Sequence, residues 1–125
     1  MNLFKSILLV GLGGGVGSVL RFLATQAVNR YYTQPFPLAT FLVNVTGCLF
    51  IGILAGIAQR YQISNENFRY FFMTGLCGGY TTFSAFALEN FNLFQNNNPI
   101  PAILYIGASV IVGILCVWAG FQIAR

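Results

Sequence analysis

The chain has 125 residues, 57% of them hydrophobic and 6% charged; six Lys/Arg and two Glu make up the charged set, with no Asp and no His. Soluble domains carry roughly 25% charged residues, and a globule this small exposes too much surface for so few charges to cover, so a soluble enzyme is excluded. A nucleic-acid binder is excluded as well, because the net charge of +4 reflects scarce acids rather than a basic cluster.

Four apolar runs are each long enough for a membrane-spanning helix, which needs about 20 residues. The first, residues 3–28, is interrupted by Lys5 and Arg21. It is too long for a signal peptide core and leads to no small-residue cleavage site. Its glycine run, residues 11–17 (GLGGGVG), misses the dinucleotide-loop register, because Val16 stands where a third glycine belongs. What the run does supply is Gly11/Gly15 and Gly13/Gly17 at four-residue spacing, a pattern that lets helix backbones approach closely in lipid. Residues 29–37 (NRYYTQPFP) read as a headgroup-level turn.

The second run, residues 38–58, is free of charge. Thr40 and Asn44 share one face of it, and Gly52/Gly56 repeat the close-packing pair. Asn44-Val45-Thr46 matches a glycosylation sequon but lies mid-span, out of reach. Residues 59–67 are the most polar connector, with Ser64 or Asn65 as the expected N-cap of the next helix.

The third run, residues 68–94, is bounded by Arg69 and Glu89. Its middle, Gly75-Leu76-Cys77-Gly78-Gly79-Tyr80-Thr81-Thr82-Phe83-Ser84-Ala85-Phe86, is rich in glycine and β-branched threonine, both of which weaken a helix. A break is expected there. It would free backbone carbonyls in mid-membrane, an arrangement suited to a monovalent cation. Phe83 and Phe86 share a face just beyond it. They are either ordinary lipid- or core-facing rings, or they present positive ring edges to an anion.

Residues 95–101 (QNNNPIP) form a polar, uncharged connector with helix-stopping prolines, and residues 102–124 are the fourth run, again without charge. On it Tyr105 and Ser109 stand four apart, a second polar stripe to match Thr40/Asn44. Such stripes serve either as interhelical hydrogen-bond glue or as a polar pathway. Cys48, Cys77 and Cys116 fall in three different runs without metal or redox spacing and read as packing residues. No run alternates as a β-barrel strand does. With four spans both termini lie on one side, together with Lys5, Arg60, Arg69 and Arg125; Arg30 lies opposite. Positive-inside counting places the termini in the cytoplasm. Arg21 has three readings: snorkelling to an interface, an anion-attracting vestibule, or a partner for Glu89 or a helix C-terminus.

Three segments carry a resemblance to a known family: Gly14-Gly15-Val16-Gly17-Ser18-Val19-Leu20-Arg21-Phe22, Asn44-Val45-Thr46-Gly47, and Gly75 to Ser84 of the third run. Over essentially its whole length the chain resembles the Fluc (CrcB) fluoride channels. The resemblance implies an all-α integral membrane protein of four transmembrane helices, the third broken. It further implies an antiparallel, dual-topology homodimer in the bacterial inner membrane, with two fluoride pores and a structural sodium ion on the two-fold axis. By position, Phe83 and Phe86 would contact fluoride through ring edges and Asn44 would donate its amide. Thr40, Tyr105 and Ser109 would line a polar track, Glu89 would match an acidic residue near its end, and the Gly78 and Thr81 carbonyls of both subunits would hold the sodium. Two positions depart from the pattern: Gly113, where some relatives place a hydroxyl, and Ala85, where threonine is common.

The chemistry is compatible with that reading. Fluoride is strongly hydrated, so a pore must replace its water with donors, and neutral donors bind weakly enough for the ion to leave. No proton relay or cofactor motif is apparent, which favours passive conduction over enzyme activity or pumping. Two rivals are a four-helix proton-coupled multidrug exporter and a purely structural subunit. The exporter relies on a mid-membrane acid in the first helix, which is absent here; a structural subunit would need neither polar stripes nor a broken helix.

Overall fold

The computed structural model describes residues 2–125, and every regular element among them is helical. Helix α1 spans Leu3–Tyr31, α2 spans Leu38–Arg60, and α3 is helical through Glu66–Phe68, Arg69–Cys77 and Gly78–Tyr80. Helix α4 spans Ser84–Gln95 and α5 spans Pro99–Ala124. Three of them, α1, α2 and α5, are long and apolar enough to cross a membrane. The third apolar run of the sequence is divided between α3 and α4.

Local chemistry explains the boundaries. The Asn2 side chain accepts the Phe4 N–H at 3.0 Å and starts α1. That helix continues to Tyr31 rather than stopping near residue 28, since nothing before Pro35 prevents it. The Asn65 side chain caps α3 by accepting the Asn67 N–H at 2.8 Å. Helix α5 begins at Pro99 rather than at residue 102, with prolines in the first turn, where a missing N–H costs no intrahelical bond. Helices α2 and α4 close in the same way. Gln62 and Asn97 adopt positive φ of 53° and 59°, and the next N–H returns to a carbonyl five residues back, Ile63 to Ala58 and Asn98 to Leu93, each at 2.8 Å.

Over Arg69–Cys77 the α3 backbone widens into a π-helix. This stretch packs along α1, while α2 packs along α5, and the two pairs make up the bundle. The glycines make both contacts possible. A methyl group at Gly13 would overlap the Phe71 carbonyl oxygen, one at Gly17 the Leu76 carbonyl oxygen, and one at Gly79 the Gly14 carbonyl oxygen. Across the other pair, Gly52 and Gly56 of α2 face the Val117 and Phe121 carbonyls, and Gly120 of α5 faces the Leu49 carbonyl. The pairs 13/17 and 52/56 thus work within the protomer. Gly11 and Gly15 meet no atom within 4 Å and lie open on the outer face of α1.

A small aromatic core sits where α4 meets α5. Tyr105 is fully buried there, edge-to-face with Phe36 at 5.3 Å and with Phe86 at 5.0 Å between ring centroids. The outer faces are lined with exposed large apolar side chains, among them Leu12 and Phe22 of α1 and Ile111 and Trp118 of α5. Such a surface is compatible with hydrocarbon and not with water.

Candidate functional site

The helical backbone stops at Tyr80 and resumes at Ser84, with Thr81 extended at φ −83° and ψ 161°. The interruption falls on the threonines. Gly75, Gly78 and Gly79 remain helical, and Gly75 and Gly79 serve the close approach to α1 instead.

The polar groups released at the interruption are distributed in an ordered way. Thr82 is held by α2: its N–H donates to Asn44 Oδ1 at 2.8 Å, and its carbonyl accepts from Asn44 Nδ2 at 3.0 Å. In a continuous helix the Thr82 N–H would bond to the Gly78 carbonyl. Likewise the Ala85 N–H, which would serve the Thr81 carbonyl, donates to Thr82 Oγ1 at 3.2 Å. The carbonyls of Gly78 and Thr81 are therefore deprived of their helical donors. The Gly79 carbonyl has a different partner, Arg21 Nε at 3.1 Å. Of the three readings of Arg21, the structure supports the one that pairs it with a helix C-terminus. A hydroxyl contact of 2.9 Å between Thr46 and Tyr80 ties α2 to the end of α3.

Hard, uncharged oxygens of this kind suit a monovalent cation. Gly78 and Thr81 thus fit the sodium that the resemblance implies, on the ground that their helical donors are turned elsewhere.

Beside the interruption lies a cavity of about 460 Å³ that brings together Asn44, Phe83, Phe86 and Ser109, with Thr81 and Gly78 on its wall. Ser109 Oγ is buried and has no hydrogen-bond partner. Asn44 Nδ2 carries two hydrogens, and the bond to Thr82 uses one of them, so a second remains. The Phe83 and Phe86 rings lie 5.8 Å apart, tilted by 46°. The lining side chains are uncharged, so the cavity can offer an anion weak neutral donors and ring edges without a fixed positive charge.

Thr40 and Tyr105 are not in this lining. Both donate to Glu89, Thr40 Oγ1 to Oε2 at 2.6 Å and Tyr105 OH to Oε1 at 2.8 Å. Two hydroxyls read from the sequence as track donors are thus committed to a carboxylate on α4. The cluster adjoins the cavity through Tyr105, whose ring packs on Phe86.

Two further residues belong to the site that pattern reading passes over. Thr82 supplies both backbone groups held by Asn44 and the hydroxyl that caps α4. Cys48, one turn beyond Asn44, lines the cavity. A signal for the first was present: a mid-span Asn carries one donor and one acceptor, the complement of one free peptide unit.

Comparison with known proteins places this arrangement. The family model described as "CrcB-like protein, Camphor Resistance (CrcB)" matches residues 8–121. The chain belongs to the CrcB family. Among relatives, the Fluoride-specific ion channel FluC of Flavobacterium psychrophilum is 47% identical over 97% of this chain and 98% of its own length. The protein of the same name from Azobacteroides pseudotrichonymphae is 48% identical over 95% of both chains. That of Phocaeicola vulgatus is 45% identical over 97% of this chain and 99% of its own. This CrcB chain is accordingly a multi-pass bacterial membrane protein, and the matched stretch contains Arg21, Asn44, the helix interruption, Glu89 and Ser109.

Proposed function

We propose that this CrcB-family protein is a fluoride channel, not an enzyme, that lets cytoplasmic fluoride leave down its electrochemical gradient and so protects against fluoride toxicity. The observation that carries the reading is the uncharged cavity joining Asn44, Phe83, Phe86 and the unpartnered Ser109 hydroxyl beside the interrupted helix. The names of the relatives support it. A dehydrating fluoride ion exchanges water for the free Asn44 N–H, the Ser109 hydroxyl and the edges of the two phenyl rings. None of these holds it as an arginine would. A negative-inside potential drives anion exit by about 2.3 kcal/mol per 100 mV.

The functional unit in this reading is an antiparallel homodimer with two pores. Phe83 is 78% exposed in the single protomer, an unusual state for a ring at an ion site, and a second copy would cover it. Gly78 is exposed beside it. Two copies facing one another would bring four carbonyls, two from Gly78 and two from Thr81, around one sodium ion at the two-fold axis. Bound there, the ion would neutralise the carbonyl dipoles of the two interruptions and tie the subunits together. The interruption then lies in mid-membrane.

The test is fluoride efflux from liposomes containing the purified protein, read with a fluoride electrode. The expected result is fluoride release once a potassium ionophore removes the opposing potential. Absence of release from correctly inserted dimers would overturn the channel reading.

A further inference from the structure

We propose that the Thr74 hydroxyl is a further fluoride donor, standing where the path leaves the cavity toward the start of α3. The proposal rests on the reading of the cavity as the fluoride path and adds to it a residue and a direction.

The cavity reaches well past the side chains grouped around the interruption. Its α3 wall continues from Thr81 through Gly78 to Thr74 and Met73, and its α2 wall continues from Asn44 to Ile51. Thr74 precedes Thr82 by eight residues, about 10 Å along the axis. Over that length α5 offers no hydroxyl. A Cβ on Gly113 would lie 3.4 Å from Cys48 Sγ, so position 113 stands level with Cys48, and it carries no side chain. Beyond Ser109 in this direction, Thr74 supplies the hydroxyl in the lining. Its neighbour Met73 also lines a second cavity, of about 280 Å³, together with Ser64 and Arg69 at the connector between α2 and α3. The two cavities share Met73 as a wall, so the first one ends toward the polar connector and not in the middle of the bundle.

The π-helix explains why this hydroxyl is free. A threonine within a helix can bond back to the carbonyl four residues earlier, as Thr46 does to Leu42 at 2.7 Å and Thr81 to Cys77 at 2.9 Å. For Thr74 that carbonyl belongs to Tyr70, inside the π-helix, where a carbonyl serves the N–H five residues on, here that of Gly75. The Tyr70 oxygen lies only 3.0 Å from where a Cβ on Gly75 would stand. Thr74 Oγ1 accordingly has no hydrogen-bond partner among the described residues, whereas the Thr81 and Thr82 hydroxyls of the same lining are both engaged. Thr74 is exposed in the protomer. A polar group without a partner is costly within a membrane span unless water or an ion reaches it. On the wall of an ion path that cost disappears, and the hydroxyl can replace one water of a passing fluoride.

The test is the unitary fluoride current of the purified protein in planar lipid bilayers, a quantity that does not depend on how much of the sample is folded. Thr74→Val keeps the branched shape and removes the hydroxyl. Its current should fall about fivefold, the weight of one neutral hydrogen bond. Thr74→Ser keeps the hydroxyl and should retain at least half of the wild-type current. Both should elute as dimers and melt with the wild type in detergent; if Thr74→Val fails to fold, Thr74→Ala makes the same comparison with Thr74→Ser. A wild-type current in Thr74→Val, or equal falls in the Val and Ser variants, overturns the proposal. So does a weakened dimer whose surviving channels carry the wild-type current, which would set the hydroxyl against the second subunit instead. No fluoride current from the wild type overturns the channel reading, and this proposal with it.

Discussion

Asn44 has two roles, and two substitutions separate them. Its amide holds both backbone groups of Thr82, at 2.8 Å and 3.0 Å, which leaves one N–H unused on a residue that lines the cavity. Asn44→Ala leaves both groups unpaired. Orphaned buried groups cost roughly 1–3 kcal/mol each, but polar contacts in membrane bundles average only about 0.6 kcal/mol, with a maximum near 1.7. The cavity also gives water some access, so the lower scale governs, and the expected loss is about 1–3 kcal/mol. Asn44→Asp keeps an acceptor for the Thr82 N–H but sets a carboxylate oxygen against the Thr82 carbonyl in place of the donor, so it should cost at least as much. Conduction separates the two further. A carboxylate about 4 Å from a passing anion raises its energy by about 4 kcal/mol at an effective dielectric of 20, close to a thousandfold in occupancy. Both variants should therefore melt below the wild type in detergent, whereas fluoride efflux should fall far more for Asp than for Ala. An efflux loss no larger for Asp than for Ala would refute the donor role, and wild-type behaviour of Asn44→Ala in both assays would refute the role of Asn44 altogether.

Other outcomes follow from the packing and the cluster. Phe83→Ile should suppress fluoride efflux at least tenfold with the dimer intact on size exclusion, because the ring edges are lost while apolar bulk is kept. Tyr105→Phe keeps the ring against Phe86 but removes one of two donors to Glu89, and should lower stability by about 1 kcal/mol in a detergent melt. Gly13→Ala, whose methyl would overlap the Phe71 carbonyl oxygen, should destabilise the folded protein by about 2 kcal/mol or more, whereas Gly11→Ala, which meets nothing in the protomer, should leave a monomeric sample unchanged. Gln62→Gly should stabilise by about 0.5–1 kcal/mol in the same melt, since glycine adopts the observed positive φ without the steric cost that a side chain carries.

Much of this was legible in the sequence because lipid enforces simple rules. Run length places α1, α2 and α5, and the threonine-rich stretch marks the interruption. The residues 13/17 and 52/56 do bring helices together, as their spacing implies. What could not be read is which partner each polar group takes. Thr40 and Tyr105 share stripes with Asn44 and Ser109, yet they turn to Glu89, because a carboxylate is a stronger acceptor than anything else within their reach. Arg21 finds the Gly79 carbonyl, a group that becomes available only once the helix stops. The π-helix over Arg69–Cys77, whose Phe71 and Leu76 carbonyls lie against Gly13 and Gly17 of α1, has no compositional mark.

The interruption between α3 and α4 has no cap of its own for Thr82; both groups are held from another helix, by Asn44. Alone in hydrocarbon, this segment would lose two hydrogen bonds by opening, so its favoured form before docking is one unbroken rod. The opened form becomes the better one only when α2 lies alongside. Docking of α2 and opening of this segment are therefore a single event: a protomer whose helices have inserted but not yet docked contains every residue of the cavity and none of its geometry.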